Sequence, residues 1–559
     1  MKKHLLLLTA LCLSALSVFA QKKTPLKRPK MVVGIIVDQM RYDYITRFWD
    51  EFSEDGFKRM VKEGTTFRDM HYNYAPTCTG PGHSTVWSGA YPANSGIANN
   101  SFYDRKSGKM VYCVTDTTQT TVGANDEYGQ CSPFRMKVTN LGDELKMVSN
   151  QRSKVIAVSF KDRAAVLPGG HFADGAFWFD YKTGDFISSS YYMKGKDLPA
   201  WVQAYNQQKR AAQLVKQPWK LLFAEDHYSA SIQDNNRYEG LFTGEKTPTF
   251  PHDIKAISRR EKRKGKPEYG ILAKTPWGNQ LTVEMAEAAI KGEQLGTHAF
   301  PDMLSVSFSC TDYVGHQFAP NSREVEDIYL RLDRQLAQLF KTIDSTVGMN
   351  NVVVFLTADH AGAFNANYIH DLGFQPAVYV KGEDLVAQTK SVLNSKYGQA
   401  NWVMGYYGEQ IYLNRQLIAQ KGLNLAEVQK TAADELMKNE YVKEVATEQD
   451  LLSGNFTEGY KALLKRGCHP ENSGDLFMVY QSGVLMQWGD QQTGTSHSMT
   501  YNYDTHVPYL MMGYDVPKGK EVNQKVAITQ IAPTIANKLK MTAPSAAFEP
   551  VLPLVCGAN

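Results

Sequence analysis

A chain of 559 residues, 43% hydrophobic and 21% charged, has the composition of a soluble globular protein. It is long enough to bury a sizeable core, as one large domain with insertions or as two domains. Its formal net charge of +4 is too small to point to a nucleic-acid partner.

Lys2 and Lys3 precede an apolar run over residues 5–16, and Val18 and Ala20 stand at positions −3 and −1 of a cleavage site. This pattern predicts a secretory signal peptide over 1–20, cleaved after Ala20, and hence a periplasmic or secreted protein. The run is shorter than the roughly 20 residues a membrane span needs, so no stable membrane anchor is expected. Loss of Cys12 from the seven cysteines leaves six, and an exported protein can form disulfides. Cys113 and Cys131 flank a polar, turn-rich stretch and are the expected pair.

Residues 21–30 read as a basic, Pro-containing linker. Four apolar runs, at 31–37, 154–160, 303–309 and 352–357, read as buried parallel strands. Between the last two, Val325, Ile328, Leu332, Leu336, Leu339 and Ile343 recur at spacings of three and four, which predicts an amphipathic helix. Asn321 and Ser322 offer caps for it and Gly348 a stop. Strand, helix and strand in that order predict an α/β fold, with a mostly parallel central sheet flanked by helices. The catalytic domain is expected over 31–550, with inserted cap segments at about 200–275 and 385–485. The basic run at 258–266 reads as solvated surface.

Acidic residues and histidines fall just after these strands. Asp38 ends the first, Asp312 follows the third with His316 four residues on, and Asp359 and His360 follow the fourth. Open α/β sheets bind ligands outside the carboxyl ends of their strands. His497 lies in a late loop rich in glycine and hydroxyls. Carboxylates and imidazoles together suit zinc, and a site this size can hold two ions about 4 Å apart. Any one Asp or His alone reads as a helix cap or a packed core residue; three strand-terminal acids, two with His nearby, do not. Thr79 precedes Gly80-Pro81-Gly82 and a short helix at 84–88. At a helix start its hydroxyl faces free N–H groups and the positive end of the dipole. Local sequence leaves two readings open, a nucleophile activated by metal or a helix cap.

Asp38, the block APTCTGPGHSTVWSGAYPANSGI, TDYVGH, TADH and SHSMTYNYDTHVPYL occur in this order. Together they resemble the alkaline phosphatase superfamily, closest to the PafA-type bacterial alkaline phosphatases with a threonine nucleophile. The resemblance covers about residues 30–550. It implies one zinc on Asp38, Asp359, His360 and Thr79, and a second on Asp312, His316 and His497. It implies attack by Thr79 on phosphorus and a phosphothreonine that water then hydrolyses. It further implies that Asn100, Lys161 and Arg163 contact the non-bridging phosphate oxygens, which favours a dianionic monoester over a diester. The expected partner is a small-molecule phosphate monoester, with no nucleic acid, and the chain is expected to act as a monomer. His83 is expected to pack or to orient Thr79, and Asp162 to pin its loop. His506 is expected in a loop and outside the ligand set.

An arylsulfatase would need a C-x-P-x-R pattern, which the residues after Cys78 break. A nucleotide pyrophosphatase or phosphodiesterase shares the threonine and both metal sites and is the competing reading. A non-catalytic binding protein is disfavoured by the complete set of ligands.

Overall fold

The computed structural model describes residues 27–487, 489 and 492–553. The signal peptide reading and most of the linker lie outside the described residues. Among those residues, eleven strands build the central sheet. In chain order they are β1 (Met31–Val37), β2 (Gly64–His71), β3 (Thr121–Val122), β4 (Val155–Ser159), β5 (Gly175–Phe179), β6 (Phe186–Ser189), β7 (Asp302–Phe308), β8 (Val352–Thr357), β9 (His506–Gly513), β10 (Lys520–Val522) and β11 (Val526–Ala527). They lie in the order β10-β2-β9-β8-β1-β7-β4-β5-β6-β3, with β11 also beside β2.

The five central strands β8, β1, β7, β4 and β5 run parallel. Every residue of β1, β4, β7 and β8 is buried, as expected of strands covered on both faces. Because these strands share one direction, the loops after Val37, Ser159, Phe308 and Thr357 open at one edge. β9 pairs antiparallel with β8, and β6 antiparallel with β5.

Five helices matter for the site: α1 (Thr79–Ser88), α2 (Arg163–Gly169), α3 (Pro276–Gly292), α4 (Cys310–Phe318) and α5 (Arg323–Thr346). α5 is the helix read from the apolar periodicity, and all six of its predicted apolar residues are buried. Ser322 caps it by accepting from the Val325 N–H at 3.1 Å, and Gly348 follows its end with φ of 82°. α4 and α5 carry the crossover from β7 to β8, and β1 sits between those two strands. α5 packs on α3 beside the sheet.

A second, antiparallel sheet joins Val403–Tyr407, Gln410–Leu413, Leu476–Tyr480 and Val442–Thr447 in that order. It has its own apolar cluster, including Trp402, Leu436 and Tyr480. Residues 200–275 instead bury Val202, Trp219, Ile254 and Ile257 in the cluster of the central sheet. Most of the basic run lies on the exposed side of helix Ile254–Arg263 and the turn after it, where Lys262 pairs with Glu268. No helix among the described residues is long and apolar enough to cross a membrane.

The expected Cys113–Cys131 disulfide is not formed, and both residues are buried free thiols. The Cys131 backbone pairs with Thr115, two residues past Cys113, and the side chains face different neighbours. The Cys113 sulfur sits against Gly80, whereas the Cys131 thiol faces the Tyr128 carbonyl at 3.7 Å and Asp162 Oδ2 at 4.0 Å. Burial pushes the Cys113 thiol up to about 12, so it stays protonated.

Candidate active site

The shared edge of the parallel strands collects Asp38 after β1, Lys161 and Arg163 after β4, Asp312 and His316 on α4 after β7, and Asp359 and His360 after β8. Asp312 and His316 are four residues apart and share one face of α4. α1 begins at Thr79, with Cys78 as its N-cap and no side-chain cap bond. Thr79 is therefore the first helical residue and does not cap; its Oγ1 accepts from Arg163 Nη2 at 3.1 Å. A Cβ on Gly82 would lie 2.2 Å from the Asp359 carbonyl oxygen, so a glycine there lets α1 approach the end of β8. His83 packs inside this junction, with Nδ1 at 2.9 Å from the Thr79 carbonyl and Nε2 at 2.9 Å from Ser307 Oγ.

All ten residues read from the sequence fall in one connected cluster. Lys161 Nζ donates to Asp38 Oδ2 at 2.8 Å and to Asp312 Oδ2 at 2.6 Å. His360 Nε2 lies 3.5 Å from Asp38 Oδ1 and 3.6 Å from Asp359 Oδ2. The His497 ring stacks on His360 with centroids 3.6 Å apart, and its Nε2 lies 3.8 Å from Asp312 Oδ1. His316 Nε2 is 3.1 Å from the same oxygen. Asn100 Oδ1 accepts from the Gly80 N–H at 2.6 Å, which leaves its amide N–H groups as the end able to donate elsewhere. Asp162 caps α2 by accepting from the Arg163 N–H at 2.6 Å, and it also accepts from the Tyr112 hydroxyl.

The three histidines share one arrangement. Each sets Nδ1 against a backbone carbonyl: Thr495 for His316 at 2.8 Å, Ala361 for His360 at 2.9 Å and Thr77 for His497 at 2.7 Å. Nδ1 therefore carries the proton, and in His360 and His497 Nε2 turns a lone pair toward the carboxylates, the state a metal-binding imidazole requires. In His316, Asp312 outweighs burial and raises the ring above its ordinary value, so Nε2 shares a proton with Asp312 Oδ1. Asp38 Oδ1, Asp359 Oδ2 and His360 Nε2 are buried with no hydrogen-bond partner. Buried polar atoms without partners are costly, and three that converge fit a bound cation. Asp38, Asp359 and His360 form one group whose ligand atoms lie within 4.8 Å of one another, and Asp312, His360 and His497 form another.

The local charge agrees. Burial, and then the neighbouring Asp359, raise the Asp38 carboxyl well above the usual range, against the pull of Lys161. Burial also opposes ionisation of Asp312, but His316 and Lys161 outweigh it and hold that carboxyl well below the usual range. Burial, then His360 and His316, push His497 well below its ordinary value, which keeps it neutral. Three carboxylates against the two cations Lys161 and Arg163 still leave surplus negative charge that a divalent cation would neutralise.

Sequence reasoning missed Gln39. Its amide nitrogen donates to Asp312 Oδ1 at 2.8 Å and its backbone N–H to Asp359 Oδ1 at 3.2 Å. It bridges two ligand groups from a left-handed backbone with φ of 61°. A glutamine after a strand-terminal acid reads only as loop polarity, so no local signal marks it. His506, expected in a loop, opens β9 and pairs across to His71 of β2. It joins His71 and Asp69 in a third close group, where the two rings stack 4.4 Å apart.

An α/β sheet whose parallel strand ends gather acids, imidazoles and a helix-start threonine defines a metal-dependent hydrolase of the alkaline phosphatase superfamily. The chain belongs to the Type I phosphodiesterase / nucleotide pyrophosphatase family, whose model matches residues 32–507. It is 40% identical over 529 residues to alkaline phosphatase PafA of Elizabethkingia meningoseptica, covering 94% of each chain. It is 39% identical over 546 residues to a protein of Myroides odoratus called a calcium-transporting ATPase, covering 96% of this chain and 95% of that one. It is 37% identical to alkaline phosphatase PhoV of Synechococcus elongatus, covering 96% of this chain and 94% of that one. The crystal structure of wild-type PafA superposes with a TM-score of 0.90 at 39% identity, over 96% of this chain and 100% of that one. A PafA variant substituted at a threonine, an asparagine, a lysine and an arginine superposes at 0.88, with 38% identity, over 95% of this chain and 99% of that one.

Proposed function

We propose that this chain is an exported phosphomonoesterase that hydrolyses small phosphate monoesters through a phosphothreonine at Thr79. The observation that carries this reading is the convergence of Asp38 Oδ1, Asp359 Oδ2 and His360 Nε2, buried and without hydrogen-bond partners, beside the start of α1. In this reading Asp38, Asp359, His360 and Thr79 hold one zinc ion, and Asp312, His316 and His497 hold a second. Bound there, the two cations supply Lewis-acid charge at the attacking and leaving oxygens. The close relatives named alkaline phosphatases support the activity. The substituted PafA residues, a threonine, an asparagine, a lysine and an arginine, recur here in type and order as Thr79, Asn100, Lys161 and Arg163.

Thr79 Oγ1 gives up its hydroxyl proton to solvent and attacks phosphorus; its bond to phosphorus forms as the ester P–O bond breaks, and the leaving alkoxide takes a proton from water. A second water then attacks phosphorus and loses a proton, the Oγ1–P bond breaks, the Thr79 oxygen takes up a proton to restore its hydroxyl, and the products are an alcohol and inorganic phosphate. Arg163, already on Thr79 Oγ1, and the amide N–H groups of Asn100 are placed to hold non-bridging oxygens. Lys161 adds a second cation from its seat between Asp38 and Asp312. Two cations and an amide match a dianion, whereas a diester has one charge fewer and a second organic group. We also keep residues 385–485 as an inserted cap, 200–275 as a second insertion, and 1–20 as the export signal.

The matched family name favours a second reading, a nucleotide pyrophosphatase or phosphodiesterase. Metal analysis and rates on one sample, with phenyl phosphate and methyl phenyl phosphate, separate the two. We expect two equivalents of zinc and far faster cleavage of the monoester. Lys161→Ala should lower kcat/KM for the monoester by roughly 100-fold or more and for the diester by less than about tenfold. Faster cleavage of the diester by the unaltered enzyme would overturn the monoesterase reading.

A further inference from the structure

Gln39 follows Asp38 directly, is 5% exposed, and reaches the other two acids through two different groups. Its backbone N–H donates to Asp359 Oδ1 at 3.2 Å, which leaves Asp359 Oδ2 as the unpartnered oxygen facing His360. Its side-chain amide donates to Asp312 Oδ1 at 2.8 Å, while Lys161 donates to Asp312 Oδ2 at 2.6 Å. Each oxygen of Asp312 thus carries a donor from a different strand end, Gln39 after β1 and Lys161 after β4, and the carboxylate is held in one orientation. A carboxylate oxygen has two lone pairs, so Oδ1 can take the amide hydrogen and still face His316 and His497. One residue therefore fixes acids that belong to both cation groups.

The surroundings are shaped to that amide at a local cost. Gln39 stands third in a turn closed by the Met40 N–H on the Val37 carbonyl at 3.2 Å, with φ of 61°. Glycine takes this left-handed backbone at little cost and glutamine does not. Gly315 lies inside α4 between Asp312 and His316, where glycine weakens a helix relative to alanine. A Cβ there would lie 2.0 Å from Gln39 Oε1, and one on Gly362 would lie 3.1 Å from Gln39 Cγ. Thr311 Oγ1 donates to the Asp38 carbonyl at 2.6 Å and ties α4 to the same turn. Glutamine where glycine is easier, and glycine where alanine is easier, serve neither the turn nor the helix. Together they seat one amide on Asp312, and unfavourable local choices of this kind cluster at functional sites.

We propose that Gln39 is a positioning residue that couples the two cation sites, so that an ion held by Asp359 favours a second ion at Asp312. An ion on Asp359 steadies the turn through the Gln39 N–H, the amide then keeps Asp312 oriented, and the coupling is reciprocal. The proposal rests on the two-ion reading of this site. The test sets zinc-loaded, full-length enzyme against rising concentrations of a chelator and measures the zinc retained per chain. The unaltered enzyme should release both ions in one step. Gln39→Met keeps the length and the backbone strain but loses the donor, and Gln39→Gly loses the donor and relieves the strain. Both variants should release zinc in two steps, the first ion leaving at a chelator strength roughly 10- to 100-fold lower. Gln39→Gly should melt no lower than the unaltered enzyme, which separates lost coupling from a damaged fold. Gly315→Ala, which favours the helix but displaces the amide, should also give two steps. In each variant kcat should fall with the first ion and return to within about threefold when zinc is added in excess. One-step release by the Gln39 variants, or two-step release by the unaltered enzyme, would overturn the coupling. An unaltered enzyme that holds a single zinc would overturn the two-ion reading and the coupling with it.

Discussion

Two buried clusters of histidine and carboxylate lie close together in this molecule and behave differently. In the candidate active site, His360 and His497 each turn Nδ1 to a backbone carbonyl and leave Nε2 at 3.5 Å or more from the carboxylates it faces, while His316 sets Nε2 at 3.1 Å from Asp312 Oδ1. In the other cluster, His252 spends both ring nitrogens on acids, with Nδ1 at 2.9 Å from Glu245 and Nε2 at 3.1 Å from Glu324. That second cluster packs against Phe318, at the end of the helix that carries Asp312 and His316. Composition does not separate the two. What separates His252 from His360 and His497 is the partner of the second ring nitrogen: a histidine claimed by an acid at each nitrogen is a structural cation, and one claimed by a single carbonyl is a ligand in waiting.

The comparison breaks most visibly at Thr79. Thr79→Ala should lower kcat by at least about 10⁴-fold, as loss of a nucleophile does elsewhere, while the thermal midpoint moves little. Steady-state kinetics beside a melting curve checks both halves, and a variant that turns over at the original rate removes Thr79 from the mechanism. Metal removal comes next. Chelation should abolish turnover and also lower the melting midpoint, because Asp38 and Asp359 are left buried side by side with only Lys161 to offset their charge. Metal a thousandfold above its Kd would return roughly 4 kcal/mol. His360→Ala should lower zinc content and reduce kcat on the order of 10³-fold. Full activity in a preparation shown to lack metal would contradict the whole arrangement.

The first cluster was legible in the sequence and the second was not, for a physical reason. Asp38, Asp312 and Asp359 each follow an apolar run, and a parallel strand's end is readable because both its faces are buried. Once three strands share a direction, their terminal acids converge without further information. His252, Glu245 and Glu324 come from a loop, another loop and a helix start, and only packing brings them together. Gln39 escaped for a related reason, since its value lies in a left-handed backbone that turns its side-chain amide to one acid and its backbone N–H to another. The Cys113–Cys131 reading went wrong because proximity in sequence says nothing about which way two thiols point. Thr79 as a cap was excluded only when Cys78 was found at the N-cap position.

The smallest expected effect on turnover, and the sharpest test of the contrast, belongs to His252. Burial disfavours its charged form, but Glu245 and Glu324 outweigh burial and raise it from 6.5 to about 9. A raised folded-state value means that the folded protein holds a proton the unfolded chain releases. The resulting stabilisation is fully present below pH 6.5 and is lost as pH rises through 9. Between those limits it is worth about 3 kcal/mol. Glu324, raised by burial from 4.5 to about 7, loses its contribution with the same sign but across pH 4.5 to 7, largely before the His252 loss sets in. His252→Gln should therefore lower stability at pH 6.5, flatten its decline toward pH 9.5, and leave kcat within about twofold, because this cluster holds no substrate. Melting curves for both proteins at the two pH values read out the difference. Parallel declines would show that His252 is not the cation of its cluster, and a collapse of turnover in a folded variant would join the two clusters into one functional unit.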